Sequence, residues 1–239
     1  MTLRNIVLLI IAFISLLTLI SWYISQSNQK SNTALDKNSN NGISYIAIGD
    51  SYTIGLGVSE NSRWPNVLVD HLRKEGININ LRANPAVSGY TVSDATQLEL
   101  PVIEKAKPDF VTVLIGANDN FGQKDAGRYQ QELEILLDKL QSMLTNPKNI
   151  VLITIPDYSK SPALKSYPTQ DASALIEEYN LAIQNQASKR GLSVADIFPI
   201  SQTMTGNEDY ISDGLHPSAS GYAKWEKIIF PVVFELLKK

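Results

Sequence analysis

A chain of 239 residues is long enough to bury one substantial core, and its formal net charge of −3, with lysines and arginines scattered among acids, leaves no basic face for nucleic acid. Cysteine is absent, which excludes disulfides, thiolate nucleophiles and thiolate metal sites. Two histidines, His71 and His216, are the whole supply of imidazole.

From residue 6 to residue 24 the chain is almost wholly Ile, Leu, Val, Phe and Ala, interrupted by Ser15, Thr18 and Ser21 and ending beside Trp22 and Tyr23. At about 1.5 Å per helical residue such a run crosses a hydrocarbon core of about 30 Å, and the aromatic pair suits the interface. Residues 1–25 are therefore expected to form an N-terminal transmembrane helix serving as a membrane anchor, or else a signal sequence. No small-residue cleavage pattern follows Ile24, which favours the anchor over secretion after cleavage. Arg4 ahead of the run favours an inside N-terminus and an extracytoplasmic domain at the cell membrane, while Lys30 and Lys37 behind it reduce that asymmetry. Residues 26–41, rich in Ser, Asn, Gln and Lys, read as a flexible linker, and the folded domain is expected over 42–239.

Within that domain, short and often β-branched runs at 43–48, 77–81, 110–115, 150–155 and 192–195 read as five strands closed by Gly, Pro, Asn or Asp. Between them, 64–74, 92–107, 129–144 and 171–189 space their apolar residues by three and four, as helices do. Trp64-Pro65 reads as a helix start with the indole in or near the core. A last helix is expected from Ser218, ended or kinked before Pro231. Strand and helix in alternation predict an α/β fold: a mostly parallel sheet with helices on both faces.

Polar clusters follow three of the strands: Gly49-Asp50-Ser51, residues 84–89 with Ser88 and Gly89, and Gly116-Ala117-Asn118-Asp119. In an open parallel sheet these loops gather beyond the carboxyl ends of the strands, where ligands bind. A fourth cluster, Asp213-Gly214-Leu215-His216-Pro217, precedes the last helix, and its spacing lets Asp213 orient the imidazole. A serine hydroxyl needs a base to become a nucleophile, and imidazole, with an ordinary pKa of about 6.5, suits that task. His71 flanks the inner face marked by Leu68 and Leu72 and reads as structural; His216, in its polar loop, is the candidate base.

These four blocks, in this order, resemble the SGNH/GDSL hydrolase family, serine esterases and acylhydrolases on a three-layer, flavodoxin-like α/β scaffold with a central five-stranded sheet. The resemblance spans 42 to the C-terminus. It implies Ser51 as nucleophile, His216 as general base and then acid, and Asp213 as the residue orienting His216. It further implies an oxyanion hole formed by the backbone N–H groups of Ser51 and Gly89 and the side-chain amide of Asn118, with no cofactor and no metal. Tyr52 stands where many relatives have leucine. The Gly-x-Ser-x-Gly elbow of the α/β-hydrolases is absent.

Neighbouring acids read as structural. Adjacent side chains in an extended segment point oppositely, which turns Asp50 away from the role of Asp213. Asp119 is expected to pin the loop of Asn118. Asp157 and Tyr158 read either as rim residues or as ordinary turn chemistry, and 162–170 either as a loop shaping substrate choice or as a plain connection. The expected reaction is hydrolysis of a carboxylic ester, whether of a lipid, an acylated glycan or a small ester, through an acyl-serine intermediate. Alternatives are an acyltransferase moving an acyl group to or from a cell-surface glycan, and a catalytically silent binding module on the same fold. A zinc hydrolase is hard to assemble from two histidines on separate elements, and a two-carboxylate glycosidase would leave the serine and histidine blocks unexplained.

Overall fold

The computed structural model describes residues 42–164 and 172–238. The expected membrane segment and linker lie outside the described residues, as does most of the loop 162–170; among the described residues no helix is long and apolar enough to cross a membrane.

Five strands, β1 (Ile43–Gly49), β2 (Ile79–Ala83), β3 (Phe110–Leu114), β4 (Ile150–Ile153) and β5 (Ser193–Ala195), form one sheet in the order β2-β1-β3-β4-β5. Every neighbouring pair is parallel. All residues of β3 and β4 are buried, as expected of strands covered on both faces. The crossovers are made by α1 (Trp64–Lys74), α2 (Leu100–Ala106), α3 (Ala126–Met143) and α4 (Ala172–Arg190), and α5 (Ala219–Leu237) closes the chain. Helices α1 and α5 pack on each other, and α3 packs on α2 and α4, giving three layers. Strand order reverses between β1 and β3, so the loops leaving these two strands flank the switch point where open parallel sheets bind ligands.

Helix α1 begins and ends where the sequence places it, with Pro65 in its first turn and the Trp64 indole fully buried. Several element ends shift by up to three residues, and three of the differences have a visible physical cause. Strand β2 starts two residues late, because the Ile77 N–H returns to the Leu72 carbonyl and completes the close of α1. The predicted helix 92–107 is interrupted by a π-turn at Ala95–Glu99, where the Leu100 N–H reaches back to Ala95. Pro101 has no N–H to offer Gln97, so the ladder is already open there and widening it loses little. Finally, α5 is not ended before Pro231 but continues to Leu237. Pro231 lies on the exposed side, whereas Ile229, Val233 and Leu237 are buried, and that apolar burial offsets one missing hydrogen bond facing solvent.

His71, which the sequence reads as structural, finds its partners on α5. Its Nδ1 is 2.9 Å from Glu226 Oε1, and its ring stacks on Phe230 with centroids 3.6 Å apart and planes inclined by 10°. Glu226 is buried, so removing the imidazole strands a carboxyl group. His71→Ala should therefore lower stability by roughly 1–2 kcal/mol in urea unfolding; an unchanged midpoint would show that the α1–α5 contact does not need this pair.

Candidate active site

Strand β1 runs directly into a one-turn helix, Ser51–Ile54. Asp50 is its N-cap, accepting the Tyr52 N–H at 3.0 Å, so the carboxylate is turned back into the protein while Ser51 opens the helix at the strand's carboxyl end. The alternation expected of extended backbone thus separates the two side chains, and Asp50 takes no part in orienting the imidazole. Ser51 remains 6 % exposed, enough to be reached from a cleft and little enough to be sheltered from bulk water.

The loop before α5 supplies the other half. Tyr210 bridges Pro217 in antiparallel fashion, the Ile211 N–H donates to the His216 carbonyl at 2.9 Å, and the Ser218 N–H donates to the Asp209 carbonyl at 2.9 Å, so the segment between is a closed loop. Within it, Asp213 Oδ1 accepts the backbone N–H groups of Leu215 (2.8 Å) and His216 (2.9 Å). Its Oδ2 lies 2.6 Å from His216 Nδ1, and His216 Nε2 lies 2.9 Å from Ser51 Oγ. Partial burial alone would raise the Asp213 carboxyl; these N–H donors and the imidazole outweigh it and hold the group below the usual carboxylate range. An ionised Asp213 fixes Nδ1 as the protonated nitrogen and leaves Nε2 free to accept the serine proton.

Tyr52, which the sequence marks only as a departure from leucine, forms the wall behind the imidazole. Its ring centroid is 5.4 Å from that of His216 and 5.5 Å from that of Trp225, and its carbonyl accepts the Trp64 indole N–H at 3.1 Å. No short motif reports such a contact, because it depends on α5 returning beside the turn after β1.

A cleft of about 180 Å³ brings Ser51, Gly89, Asn118 and His216 together, walled also by Ala117, Phe121, Tyr158 and Leu215. Gly89 has φ +89°, a conformation that side chains rarely tolerate, and a Cβ added there would meet nothing within 4 Å. The glycine is thus required by its backbone, in open space facing the cleft. The Asn118 amide nitrogen donates to the Tyr90 carbonyl at 2.9 Å and to Asp50 Oδ2 at 3.2 Å. Both hydrogens are committed, and the bond to Asp50 is the longer of the two. Burial pushes Asp50 up to about 7, against the Tyr52 N–H and with the charge of Asp119 adding to the rise. Protonation of Asp50 near neutral pH weakens its claim on the amide.

The remaining acids behave structurally. Asp119 Oδ2 accepts the Val92 N–H at 3.0 Å and its Oδ1 pairs with Lys124, which pins the loop of Asn118. Asp157 is fully buried, receives Ser173 and Gln202, and donates its own N–H to Ser201 Oγ at 2.7 Å, whereas Tyr158 reaches the cleft and donates its hydroxyl to the Asn120 side-chain oxygen. Phe121, 61 % exposed at the rim, had no signal in the sequence beyond its place after the Asn118 block.

A family model described as the GDSL-like lipase/acylhydrolase family matches residues 47–224. Among known proteins, a multidomain esterase of Ruminococcus flavefaciens is 31% identical over 129 residues, covering 52% of this chain but only 15% of its own length. An arylesterase of Vibrio mimicus is 24% identical over 176 residues, covering 72% of this chain and 78% of its own. A crystal structure of a lipase/acylhydrolase from Enterococcus faecalis shares the fold with a TM-score of 0.66 and 22% identity, over 82% of this chain and 97% of that one. If the Asn118 amide transfers a hydrogen bond to a developing oxyanion, Asn118→Ala should lower kcat on an ester by roughly 10²–10³ with the fold intact; an unchanged kcat would remove it from that role.

Proposed function

The chain belongs to the GDSL-like lipase/acylhydrolase family, and we propose that it is a serine esterase in which Ser51 attacks the carbonyl carbon of a short-chain ester. The observation that carries this reading is the unbroken relay from Asp213 through His216 to Ser51, with contacts of 2.6 Å and 2.9 Å, opening onto a cleft. As the Ser51 Oγ–carbon bond forms, the hydroxyl proton passes to His216 Nε2 and the carbonyl electrons move onto oxygen. That oxyanion is stabilised by the N–H groups of Ser51 and Gly89 and by Asn118. Collapse breaks the carbon–alkoxy bond, and His216 returns the proton to the departing alcohol. Water then repeats the sequence on the acyl-serine, with His216 as base, and frees the acid.

The cleft supports a small acyl group. Its volume of about 180 Å³ is below the roughly 300–1,000 Å³ of pockets that enclose drug-sized ligands, and Phe121, Tyr158 and Leu215 give it apolar walls. The names of the two sequence relatives, both esterases, support the bond cleaved. The apolar run over residues 6–24 supports an extracytoplasmic placement, with the domain tethered through residues 26–41.

The test compares the full chain with its Ser51→Ala variant on p-nitrophenyl esters from acetyl to palmitoyl. The wild type should turn over acetyl and other short esters fastest, and the variant should be inactive with an unchanged unfolding midpoint. A normal rate in Ser51→Ala would end the serine mechanism; a preference for palmitoyl would end the short-acyl assignment.

A further inference from the structure

Directly beneath the turn that carries Ser51 lies a carboxyl group the reaction above does not use. Glu99 is fully buried, and it is the last residue of the π-turn Ala95–Glu99. Its Oε2 accepts the N–H of Gly49, the last residue of β1, at 3.1 Å. Its other oxygen, Oε1, is buried without a hydrogen-bond partner.

Gly49 is wedged. A Cβ there would lie 2.1 Å from Thr53 Oγ1 and 2.4 Å from the Leu114 carbonyl, so its backbone is pressed between the nucleophile's helix and β3. Two residues further on is Ser51, and the residue between, Asp50, holds the Asn118 amide. The position of this one peptide therefore sets both the nucleophile and the carboxylate that orients the oxyanion donor.

Stability does not explain the carboxyl. A buried acid with one hydrogen bond and one unpaired oxygen carries a desolvation cost that offsets much of what its single hydrogen bond contributes. What the carboxyl adds is an acceptor for the Gly49 N–H. Burial pushes Glu99 up to about 8, opposed by that N–H and reinforced by the charge of Asp50, so the group is mainly uncharged at neutral pH. A neutral amide of the same length should then replace it.

Resting on the serine reading, we propose that Glu99 is a positioning residue: through the Gly49 N–H it holds the end of β1 so that Ser51 stays aligned with His216 and Asp50 with Asn118. The role extends the recognised blocks by a residue on a different element, and its effect falls on the chemical step rather than on substrate binding.

The experiment measures kcat, KM and the thermal midpoint of the full chain on p-nitrophenyl acetate for Glu99→Gln, Glu99→Met, Glu99→Leu and Ser51→Ala. Met and Leu keep the packing and remove the acceptor; Gln keeps both. The apolar variants should stay folded, with a midpoint lowered by the now unpaired Gly49 N–H, and lose roughly 10- to 100-fold in kcat, with KM little changed. Glu99→Gln should restore kcat to within about threefold of wild type, the acceptor being retained. A wild-type kcat in a folded apolar variant would overturn the proposal, as would a Glu99→Gln variant as slow as Glu99→Met. Unfolding of both apolar variants would make the contact a structural one and overturn the positioning role as well. An inactive Ser51→Ala beside a fully active Glu99→Met would remove Glu99 alone, whereas an active Ser51→Ala would remove the mechanism on which it rests.

Discussion

The contact between His216 Nε2 and Ser51 Oγ joins residues 165 apart in the chain, and the rest of the domain is organised so that it can form. The hydroxyl is fixed by the end of β1; the imidazole is fixed by a loop that has no strand of its own. What holds that loop is α5, which packs along α1, and the Ser218 side chain, which caps α5 through the Gly221 N–H at 3.2 Å while its hydroxyl donates to the Glu208 carbonyl. The packing of α5 on α1 is thus more than core filling. The continuation of α5 through Pro231 keeps Val233 and Leu237 in the core and so lengthens the anchor of the loop that carries Asp213 and His216. His71 contributes to the same anchor through Glu226 and Phe230.

Around the site, carboxyl groups are sorted by their surroundings. Asp213 is partly exposed and surrounded by donors, and it is held as an anion. Asp50 and Glu99 lie deeper, each with few donors and each raised by the other's charge or that of a neighbouring acid, and both are pushed up toward or past neutrality. In the proposed reaction the separation would have a physical use: an anion beside His216 would stabilise an imidazolium formed as the serine proton is taken, whereas anions beneath the proposed oxyanion donors would oppose negative charge developing there. Asp119, another buried acid nearby, is paired with Lys124, which also pairs with Glu132.

How much of this was written in the sequence depends on whether a feature is local. Ser51, Asn118 and the Asp213–His216 pair sit in short polar blocks at strand ends or before a helix, and such blocks are legible because strand, turn and residue type all agree. Helix α1 is legible for the same reason. Glu99 was hidden because an acid in a helical stretch carries no sign of its partner, and the Gly49 N–H that it accepts lies fifty residues away on β1. Tyr52, Glu226 and Phe121 were hidden because their partners come from distant segments: Trp225 and His216, His71, and the cleft itself. The double commitment of the Asn118 amide is invisible to any motif, since a motif records the donor and not its occupancy.

The central claim is that the Ser51 hydroxyl is made nucleophilic by His216. It is tested most directly by the rate at which a fluorophosphonate modifies the protein, with the modified peptide identified by mass spectrometry, in the wild type and in His216→Ala. The account predicts a single adduct on Ser51 in the wild type and a rate reduced by roughly 10³ or more in the variant. An adduct on another residue, or equal rates of modification with and without the imidazole, would contradict it.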